Sequence, residues 1–398
     1  MKSKINIAIV APNILPIPAV KGGAIETLME NLIKQNEIFN EIDLTIYTIF
    51  DSEAKKKSLQ YKNTDFIFIN EKKINARVYN FFRRVMMRVF SVNINSYYIK
   101  SILKDINKKD FNRIIVEGDK NNVIPLKKNK LGLGVYLHTH HDALKENSEN
   151  LINECEKIIV VSKYIKEKTL SLNNVDKSKF IVLKNTVDTN LFNKNKYKNE
   201  RDKIKKKFGV NDNEFIISFT GRLIPEKGIK ELILAFKDIK TDKNIKLLII
   251  GSSNFGLDTT NEYEYELQEI SKEIKDDIIF TGFVHNDEVA KIHSIVDVAV
   301  VPSKCNEAAG IVVIEAISSG IPLIATNSGG IPEYIDKNNT ILIENNIDLV
   351  RNLTDALNLL LNNDELFKKM NFNTRSNVKE YDNEFYYKNF INIINKVL

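Results

Sequence analysis

The 398-residue chain is poor in cysteine and has no long apolar run. Its two cysteines, Cys155 and Cys305, give neither a disulfide framework nor a metal-ligand spacing, and so favour a reducing cytosol. No stretch of about 18 apolar residues is present, which argues against a membrane span. The first 20 residues make a poor signal peptide, because Asn6 interrupts the apolar run and a proline-rich stretch follows. We therefore expect a cytoplasmic protein.

Several nucleotide and metal fingerprints are also missing. There is no G-x-x-x-x-G-K-[ST], which excludes a P-loop. The string "GLG" at 132–134 is only a fragment of the dinucleotide fingerprint, without its third glycine. No D-x-D follows a predicted strand, which agrees with a site that needs no metal ion.

The chain contains a repeated alternation of short apolar runs and helical stretches. At this length two domains are the expectation. The alternation predicts parallel sheets with crossover helices. Predicted strands lie at 5–11, 42–50, 65–70, 113–118, 133–139, 157–162 and 180–185, then at 215–221, 246–252, 278–284, 296–303 and 322–327. The predicted fold class is α/β, with two doubly wound Rossmann-like domains facing a cleft.

A polar, Lys/Asn-rich stretch at 190–214 is interpreted as the linker and the helix that enters the second domain. The predicted first domain is 1–195 and the second is 196–378. The last segment, 379–398, is predicted to be a helix that crosses back to the first domain.

Two strings of the second domain carry candidate chemistry. In "FTGRLIPEKGIKEL" (219–232), Arg222 and Lys227 flank a turn before a helix, where positive charge and free backbone N–H groups suit a diphosphate. In "VVPSKCNEAAGIVVIEAISSGIPLIATNSGGIPEYI" (300–335), Glu307 lies on a loop and Glu315 on the helix that Gly310 opens. Taken alone, two glutamates near a helix start would be explained as dipole compensation, worth about 0.3–1 kcal/mol each.

The combination of these strings resembles the retaining family 4 glycosyltransferases of the GT-B fold. The strings "VKGGAIETLMENL" (20–32), "HTHHD" (138–142), "KIIVVSKYIKE" (157–167) and "KNTVDTNLF" (184–192) match that family in order. The resemblance covers about residues 5–390. Within the family, the "GGAIE" loop and the "GS-x-x-FG" segment at 251–256 are similar to those of spore-coat and surface-polysaccharide glycosyltransferases.

Carried over residue by residue, the resemblance implies a donor site in the second domain. Arg222 and Lys227 match the basic pair on the nucleotide diphosphate, and Glu315 matches the carboxylate that holds the ribose hydroxyls. Glu307 matches a residue that contacts the donor sugar, and it is not cast as a covalent nucleophile. Further positions implied to approach the nucleotide sugar are Gly221, Val284, Ala309, Gly310 and Ile311.

The resemblance also implies two contributions from the first domain, which is expected to carry the acceptor. Gly23 matches a loop glycine near the distal phosphate, and His140 aligns with a histidine near the transferred sugar. Strand alternation would place His138 on the same face as His140. The predicted catalytic set is His140, Glu307, Arg222 and Lys227.

This sequence departs from the family pattern in two places. Glu-Pro-Phe-Gly is replaced by Glu307-Ala308-Ala309-Gly310, which removes a proline and an aromatic ring from the donor loop. Asn-Gly-Val-Asp is replaced by Asn185-Thr186-Val187-Asp188, so that turn must accept a β-branched residue.

The segment 72–109 is strongly basic, with ten Lys/Arg against the single acid Asp105. Val78, Phe82, Val85 and Val89 recur at helical spacing, which favours an amphipathic helix packed on the first sheet. The alternative is a peripheral contact with anionic lipid at the inner face of the cell membrane. No recognition motif accompanies the charge, so we expect no nucleic-acid partner.

The resulting prediction is a retaining, metal-independent hexosyltransferase without a cofactor. It would move a sugar from a nucleotide sugar, with UDP favoured as carrier, to a glycan or lipid-linked acceptor in surface or spore-coat polysaccharide synthesis. The alternatives are a sugar-nucleotide epimerase or hydrolase on the same fold, and a non-catalytic sugar-nucleotide-binding partner.

Overall fold

The structure, a computed structural model, describes residues 4–91, 94–129, 132–253, 262–375 and 378–395. By its internal contacts the chain divides into two units. Unit 1 comprises Met1–Lys184 and Asn383–Leu398, and unit 2 comprises Asn185–Asp382. The sequence-based boundaries, after residue 195 and after residue 378, differ from these divisions by eleven and four residues. The first of them falls beyond the loop that follows the last strand of unit 1.

Unit 1 contains a parallel sheet of seven strands in the order β3-β2-β1-β4-β5-β6-β7. The strands are β1 Ile5–Val10, β2 Ile42–Ile49, β3 Thr64–Ile69, β4 Arg113–Glu117, β5 Gly134–Thr139, β6 Lys157–Val160 and β7 Phe180–Val182. The helices between them are α1 Ala24–Phe39, α2 Ser52–Ser58, α3 Ile74–Phe90, α4 Tyr97–Ile106, α5 Val123–Asn129, α6 Glu149–Glu154 and α7 Lys163–Leu172. Because both faces of such a sheet are covered, its central strands are continuous apolar runs.

Unit 2 repeats this plan with six parallel strands in the order β10-β9-β8-β11-β12-β13. The strands are β8 Phe215–Thr220, β9 Ile245–Ile250, β10 Ile278–Phe280, β11 Val298–Val301, β12 Leu323–Thr326 and β13 Thr340–Ile343. The helices are α8 Arg201–Lys207, α9 Ile229–Lys237, α10 Glu262–Ile270, α11 Asn286–Ile292, α12 Ile311–Ser319, α13 Leu349–Leu361 and α14 Asp364–Phe372. In both units the strand order reverses beside the first strand, as in doubly wound sheets.

The last helix, α15 Asn383–Asn395, is part of unit 1 although it follows unit 2 in the chain. Its apolar side packs on α1 within one buried cluster that includes Tyr387 and Phe390. The hydroxyl of Tyr387 donates a 2.8 Å hydrogen bond to Oδ1 of the buried Asn36. A buried hydrogen bond of this kind fixes the helix in one register on α1.

Helix α3 does not bury the apolar stripe that its sequence predicts. Only Ala76 is buried in this helix, whereas Val78, Phe82, Val85 and Val89 are between 41% and 64% exposed. The prediction that this stripe packs on the first sheet is therefore wrong. Helical spacing of apolar residues shows that a helix has an apolar face. It does not show whether that face packs on the protein core or is exposed at the surface.

None of the helices in the described ranges is long and apolar enough to cross a bilayer.

Candidate functional site

The loops that follow β8 and β11 lie side by side in unit 2. Strands β8 and β11 pair directly, and the strand order reverses between them. In open α/β sheets this switch point, at the carboxyl ends of the strands, is where ligands bind. Arg222 and Lys227 follow β8, and Glu307 follows β11. The fold thus brings the predicted basic pair and the first predicted carboxylate to neighbouring loops.

Lys227 and Glu307 form an ion pair across these two loops. The Nζ atom of Lys227 lies 2.5 Å from Oε1 of Glu307, and Ser303 Oγ donates to the same oxygen at 2.7 Å. The backbone N–H groups of Lys304 and Cys305 donate to the carbonyl oxygen of Glu226, at 2.8 and 3.3 Å. These contacts hold the charged pair in place without a ligand.

Two glycines allow the close approach of this backbone. A Cβ atom at Gly228 would lie 2.0 Å from the carbonyl oxygen of Pro302, and one at Gly329 would lie 2.3 Å from that of Glu307. Both have positive φ, at 71° and 59°, where glycine carries no steric penalty. The N–H of Gly330 then donates to the Glu307 carbonyl at 2.7 Å. Larger residues here would push the Glu307 loop away from the switch point.

Glu315 lies in the second turn of α12 and is 7% exposed. No described residue supplies a recorded hydrogen bond or ion pair to its carboxylate, and burial raises its pKa to about 8. A buried carboxyl without donors is held in its neutral form. A ligand with two adjacent hydroxyl groups would supply the missing donors.

The remaining predicted donor-site residues line the same edge of the sheet. Arg222 is exposed and makes no recorded ion pair with the described residues. Ala309 is buried. Gly310, which follows it, is the N-cap residue of α12, and the helix begins at Ile311. The helix therefore presents its first free N–H groups next to the Glu307 loop.

The loops after β9 and β10 complete this edge. The N–H of Gly251 donates to the carbonyl oxygen of Gly282 at 3.2 Å, which joins the two loops. A Cβ atom at Gly251 would lie 1.9 Å from the Gly221 carbonyl oxygen, so the loop after β8 meets them as well. Val284, predicted to meet the base, is half-buried beside the exposed ring of Phe283. Part of the "GS-x-x-FG" segment lies outside the described residues.

Unit 1 holds a second cluster, formed by Glu117, His138 and His140. All three side chains are buried, and Glu117 and His138 are paired in register on β4 and β5. The Oε2 atom of Glu117 lies 2.6 Å from His140 Nε2 and 3.1 Å from His138 Nδ1. The two rings are 4.0 Å apart between centroids, as predicted from strand alternation. The structure thus gives His140 a buried anionic partner.

The acid–base properties of this cluster follow from burial and its close charges. Burial would raise the pKa of Glu117, but the two histidines outweigh it and lower that pKa. Burial and the neighbouring His138 lower the pKa of His140 to about 4. Within the described ranges, the ligand atoms of these three residues lie close enough together to bind one metal ion. His140 Nε2 faces Glu117, which leaves Nδ1 as the ring atom that could meet a substrate.

Gly23 stands immediately before α1, at the end of the loop that follows β1. Glu26, in the first turn of this helix, is buried, and burial raises its pKa. The structure therefore places Gly23 and His140 in unit 1 and the other predicted site residues in unit 2. Glu117 was not predicted. Its signal was a carboxylate that directly follows the apolar run "IIV" of the strand "RIIVE".

Comparisons with known proteins agree with this arrangement of units and loops. Residues 200–377, most of unit 2, match the family model described as glycosyl transferases group 1. Residues 200–377 of this chain are a group 1 glycosyltransferase domain. Over nearly its whole length the chain is also similar to two proteins of Bacillus subtilis (strain 168). The putative glycosyltransferase YtcC is 26% identical over 384 residues, which cover 94% of this chain and 88% of that protein. Spore coat protein SA is 24% identical over 370 residues, which cover 90% and 91% of the two chains.

The same fold is found in solved structures. The crystal structure of Anabaena HepE in complex with UDP aligns with a TM-score of 0.76 at 15% identity, covering 98% of this chain and 100% of that one. At this identity the likeness shows the fold alone. Together with the two parallel sheets, it confirms the predicted GT-B class of two doubly wound units.

Proposed function

We propose that this glycosyltransferase moves a sugar, with retention of configuration and without a metal ion, from a UDP-linked donor to a glycan or lipid-linked acceptor. Unit 2 would bind the nucleotide sugar, and unit 1 would bind the acceptor. The observation that carries the proposal is the set of groups at the switch point of unit 2. It combines two basic side chains, a helix N-terminus and two carboxylates, which are the groups a nucleotide diphosphate sugar requires.

The diphosphate end of the donor would be held by positive charge. Arg222 is exposed and has no recorded ion-pair partner among the described residues, so it can turn to phosphate without breaking a contact. Lys227 is already fixed beside the switch point by Glu307. Both cations and the first N–H groups of α12 would stabilise the negative charge that develops as the diphosphate leaves. A metal ion is not needed to supply that charge.

The two carboxylates would read hydroxyl groups at the two ends of the donor. No described residue donates a hydrogen bond to the Glu315 carboxyl, and a ribose diol would supply two donors. Glu307 uses Oε1 for Lys227 and Ser303, which orients its carboxylate for a sugar hydroxyl. A charge-assisted hydrogen bond of this type contributes about 1.5–3 kcal/mol.

UDP is the proposed carrier, and the HepE structure with bound UDP supports it at the level of a shared fold. His140, held by Glu117, is proposed to contact the transferred sugar or the transition state. Similarity to spore coat protein SA supports a role in surface or spore-coat polysaccharide synthesis.

A nucleotide titration in the presence of EDTA tests the proposal. UDP, GDP, ADP and dTDP are added to wild type, to Glu315→Ala and to the exposed control Glu365→Ala, and unfolding is followed by thermal shift and calorimetry. A ligand at a hundredfold excess over its Kd stabilises the folded state by about 2.7 kcal/mol. We expect UDP to stabilise wild type and Glu365→Ala, and to bind Glu315→Ala at least tenfold more weakly.

If none of the four nucleotides stabilises the protein, the proposed donor site in unit 2 is contradicted. If only GDP stabilises it, the carrier is GDP and not UDP. A requirement for added Mg²⁺ would contradict metal-independent binding. Retention is tested separately, by following the anomeric signal of the product released from UDP-glucose by NMR. A product that first appears with the opposite configuration would contradict it.

We also propose that the basic segment 72–109 contacts an anionic membrane surface, at the inner face of the cell membrane. Helix α3 contains four arginines and no acid, and it exposes eight large apolar side chains. They are Ile74, Val78, Phe81, Phe82, Val85, Met86, Val89 and Phe90. A helix with an exposed apolar stripe and a neighbouring basic stripe is typical of helices that lie in the membrane interface. Such a contact would bring unit 1 to a lipid-linked acceptor.

A further inference from the structure

We propose that an arginine-lined cavity beside α3 binds the exposed phosphate group of an anionic membrane lipid. The inference rests on the membrane contact proposed above and gives that contact a specific lipid site. It does not depend on the nucleotide, because every residue that lines the cavity belongs to unit 1.

The cavity has a volume of about 620 Å³ and is open to solvent. One stripe of α3, residues Arg77, Asn80, Phe81 and Arg84, forms its wall at the i, i+3, i+4 and i+7 positions of a helix. Arg83 contributes from the adjacent turn. Three guanidinium groups on one helix thus line one cavity, without a stabilising carboxylate in the same helix.

Some polar side chains of the cavity already have hydrogen-bond partners in the described ranges, and others do not. Arg83 is anchored, because its Nε donates to the carbonyl oxygen of Ile94 at 2.5 Å. The one carboxylate of the lining, Glu71, accepts hydrogen bonds from Asn80 at 3.0 Å and from Asn13 at 3.3 Å. Arg77 and Arg84 make no recorded ion pair with the described residues and are exposed. Two arginine forks are therefore available to a phosphate, for which their planar geometry is well matched.

The position of the cavity on α3 favours a lipid over a soluble ligand. The stripe formed by Ile74, Val78, Phe82, Val85 and Val89 lies next to the arginine stripe and is exposed along the whole helix. If the apolar stripe enters the acyl boundary, the arginines lie at the depth of the headgroups. A phosphate would then reach the cavity from the bilayer, with the apolar contact supplying part of the binding free energy.

Vesicle co-sedimentation of the full chain tests this site. The vesicles contain phosphatidylcholine alone, or with a minor fraction of phosphatidylglycerol or phosphatidic acid, and inorganic phosphate is added as a soluble competitor at constant ionic strength. The variants are Arg84→Gln, Arg77→Gln with Arg84→Gln, and the matched control Arg88→Gln, which changes an exposed arginine of the same helix outside the cavity.

We expect binding to both anionic vesicles, more strongly to phosphatidic acid because its phosphate is exposed. Loss of one basic charge near an anionic surface weakens partitioning about fivefold, which is the effect expected for Arg88→Gln. Arg84→Gln should weaken it more than tenfold and the double variant further. Inorganic phosphate should reduce the binding of wild type and Arg88→Gln, in which the cavity is intact, and have little effect on the cavity variants.

Equal losses for Arg84→Gln and Arg88→Gln would overturn the site in favour of diffuse attraction. Competition by inorganic phosphate without any vesicle binding would identify a soluble anion as the ligand and overturn the lipid assignment. Absence of binding to any of the vesicles would overturn both the lipid site and the membrane contact of α3. UDP titration of the same variants confirms that they are folded and keeps a failure here separate from a failure of the donor site.

Discussion

Glu117 in unit 1 and Glu315 in unit 2 are both buried beside predicted site residues, but their surroundings change their pKa values in opposite directions. Glu117 in unit 1 is fully buried and is approached by two histidines, which lower its pKa. Glu315 in unit 2 is 7% exposed, receives no hydrogen bond from the residues that the structure describes, and has its pKa raised by burial to about 8. Burial alone therefore does not decide the charge of a carboxyl; its partners do.

The difference separates a carboxylate that has partners in its own unit from one that has none among the described residues. Glu117 Oε2 lies 2.6 Å from His140 Nε2, whereas Glu117 Oε1 and both ring nitrogens of His138 are buried without a hydrogen bond within the described ranges. The unmet hydrogen-bonding capacity of Glu315 would be supplied by the proposed ribose. Isosteric glutamine substitutions test this contrast, because they remove the charge and keep the volume.

The largest expected effect is on the stability of unit 1. Glu117→Gln should lower the free energy of unfolding by about 1.5–3 kcal/mol, the contribution of a hydrogen bond to a charged group, because it replaces the carboxylate that His140 Nε2 contacts at 2.6 Å. Glu315→Gln should change it by only about 0–1 kcal/mol at pH 4, because Glu315 is then largely uncharged in both the folded and the unfolded protein. Urea unfolding of both variants beside wild type measures the two values. Equal losses would refute the contrast between the two carboxyls.

The pH dependence of unfolding sharpens the contrast. The folded-state pKa of Glu315, about 8, lies above its ordinary value of 4.5. Its contribution to stability is therefore complete below pH 4.5 and is lost as the pH rises to about 8. The stability of Glu315→Gln relative to wild type should increase over that window, by at most about 1.4 kcal/mol per pH unit, and then level off.

Urea unfolding of wild type and Glu315→Gln at five pH values between 5 and 9 measures this difference. The exposed control Glu365→Gln should show a constant difference from wild type. A constant difference for Glu315→Gln as well would mean that Glu315 does not change its charge between pH 5 and 9, which would contradict its raised pKa.

Most strands of the two sheets could be predicted from the sequence. The strands of both sheets were found because buried parallel strands are continuous apolar runs, as in "INIAIV" of β1. Strand β13 was missed, because "TILI" has only four residues and follows a polar turn. The helices α13 and α14 after it were also not predicted.

For the candidate sites, the sequence identified residue types but not their contacts. Lys227 and Glu307 were predicted separately, 80 positions apart, and only the pairing of β8 with β11 shows that they touch. Glu117 was missed because its partners His138 and His140 lie on β5 and directly after it, about 20 positions further along the chain. For α3, the apolar spacing was correct but its surroundings were not, because periodicity does not report what covers a helix face.

The smallest expected effect concerns Glu307, whose situation lies between those of Glu117 and Glu315. The Lys227–Glu307 pair is short, at 2.5 Å, but its side chains are 22% and 16% exposed, so water competes with the contact. A double-mutant cycle with Lys227→Met and Glu307→Gln should give a coupling free energy of about 1 kcal/mol in urea unfolding, the upper end for partly exposed pairs. The equally short but more exposed pair Lys230–Glu266 is the control and should show no measurable coupling.

If Lys227 turns to the diphosphate when the donor binds, saturating UDP should reduce the Lys227–Glu307 coupling and leave the control cycle unchanged. A coupling that UDP does not alter would show that the pair is structural, and Arg222 and the α12 N-terminus would then have to bind the diphosphate without Lys227.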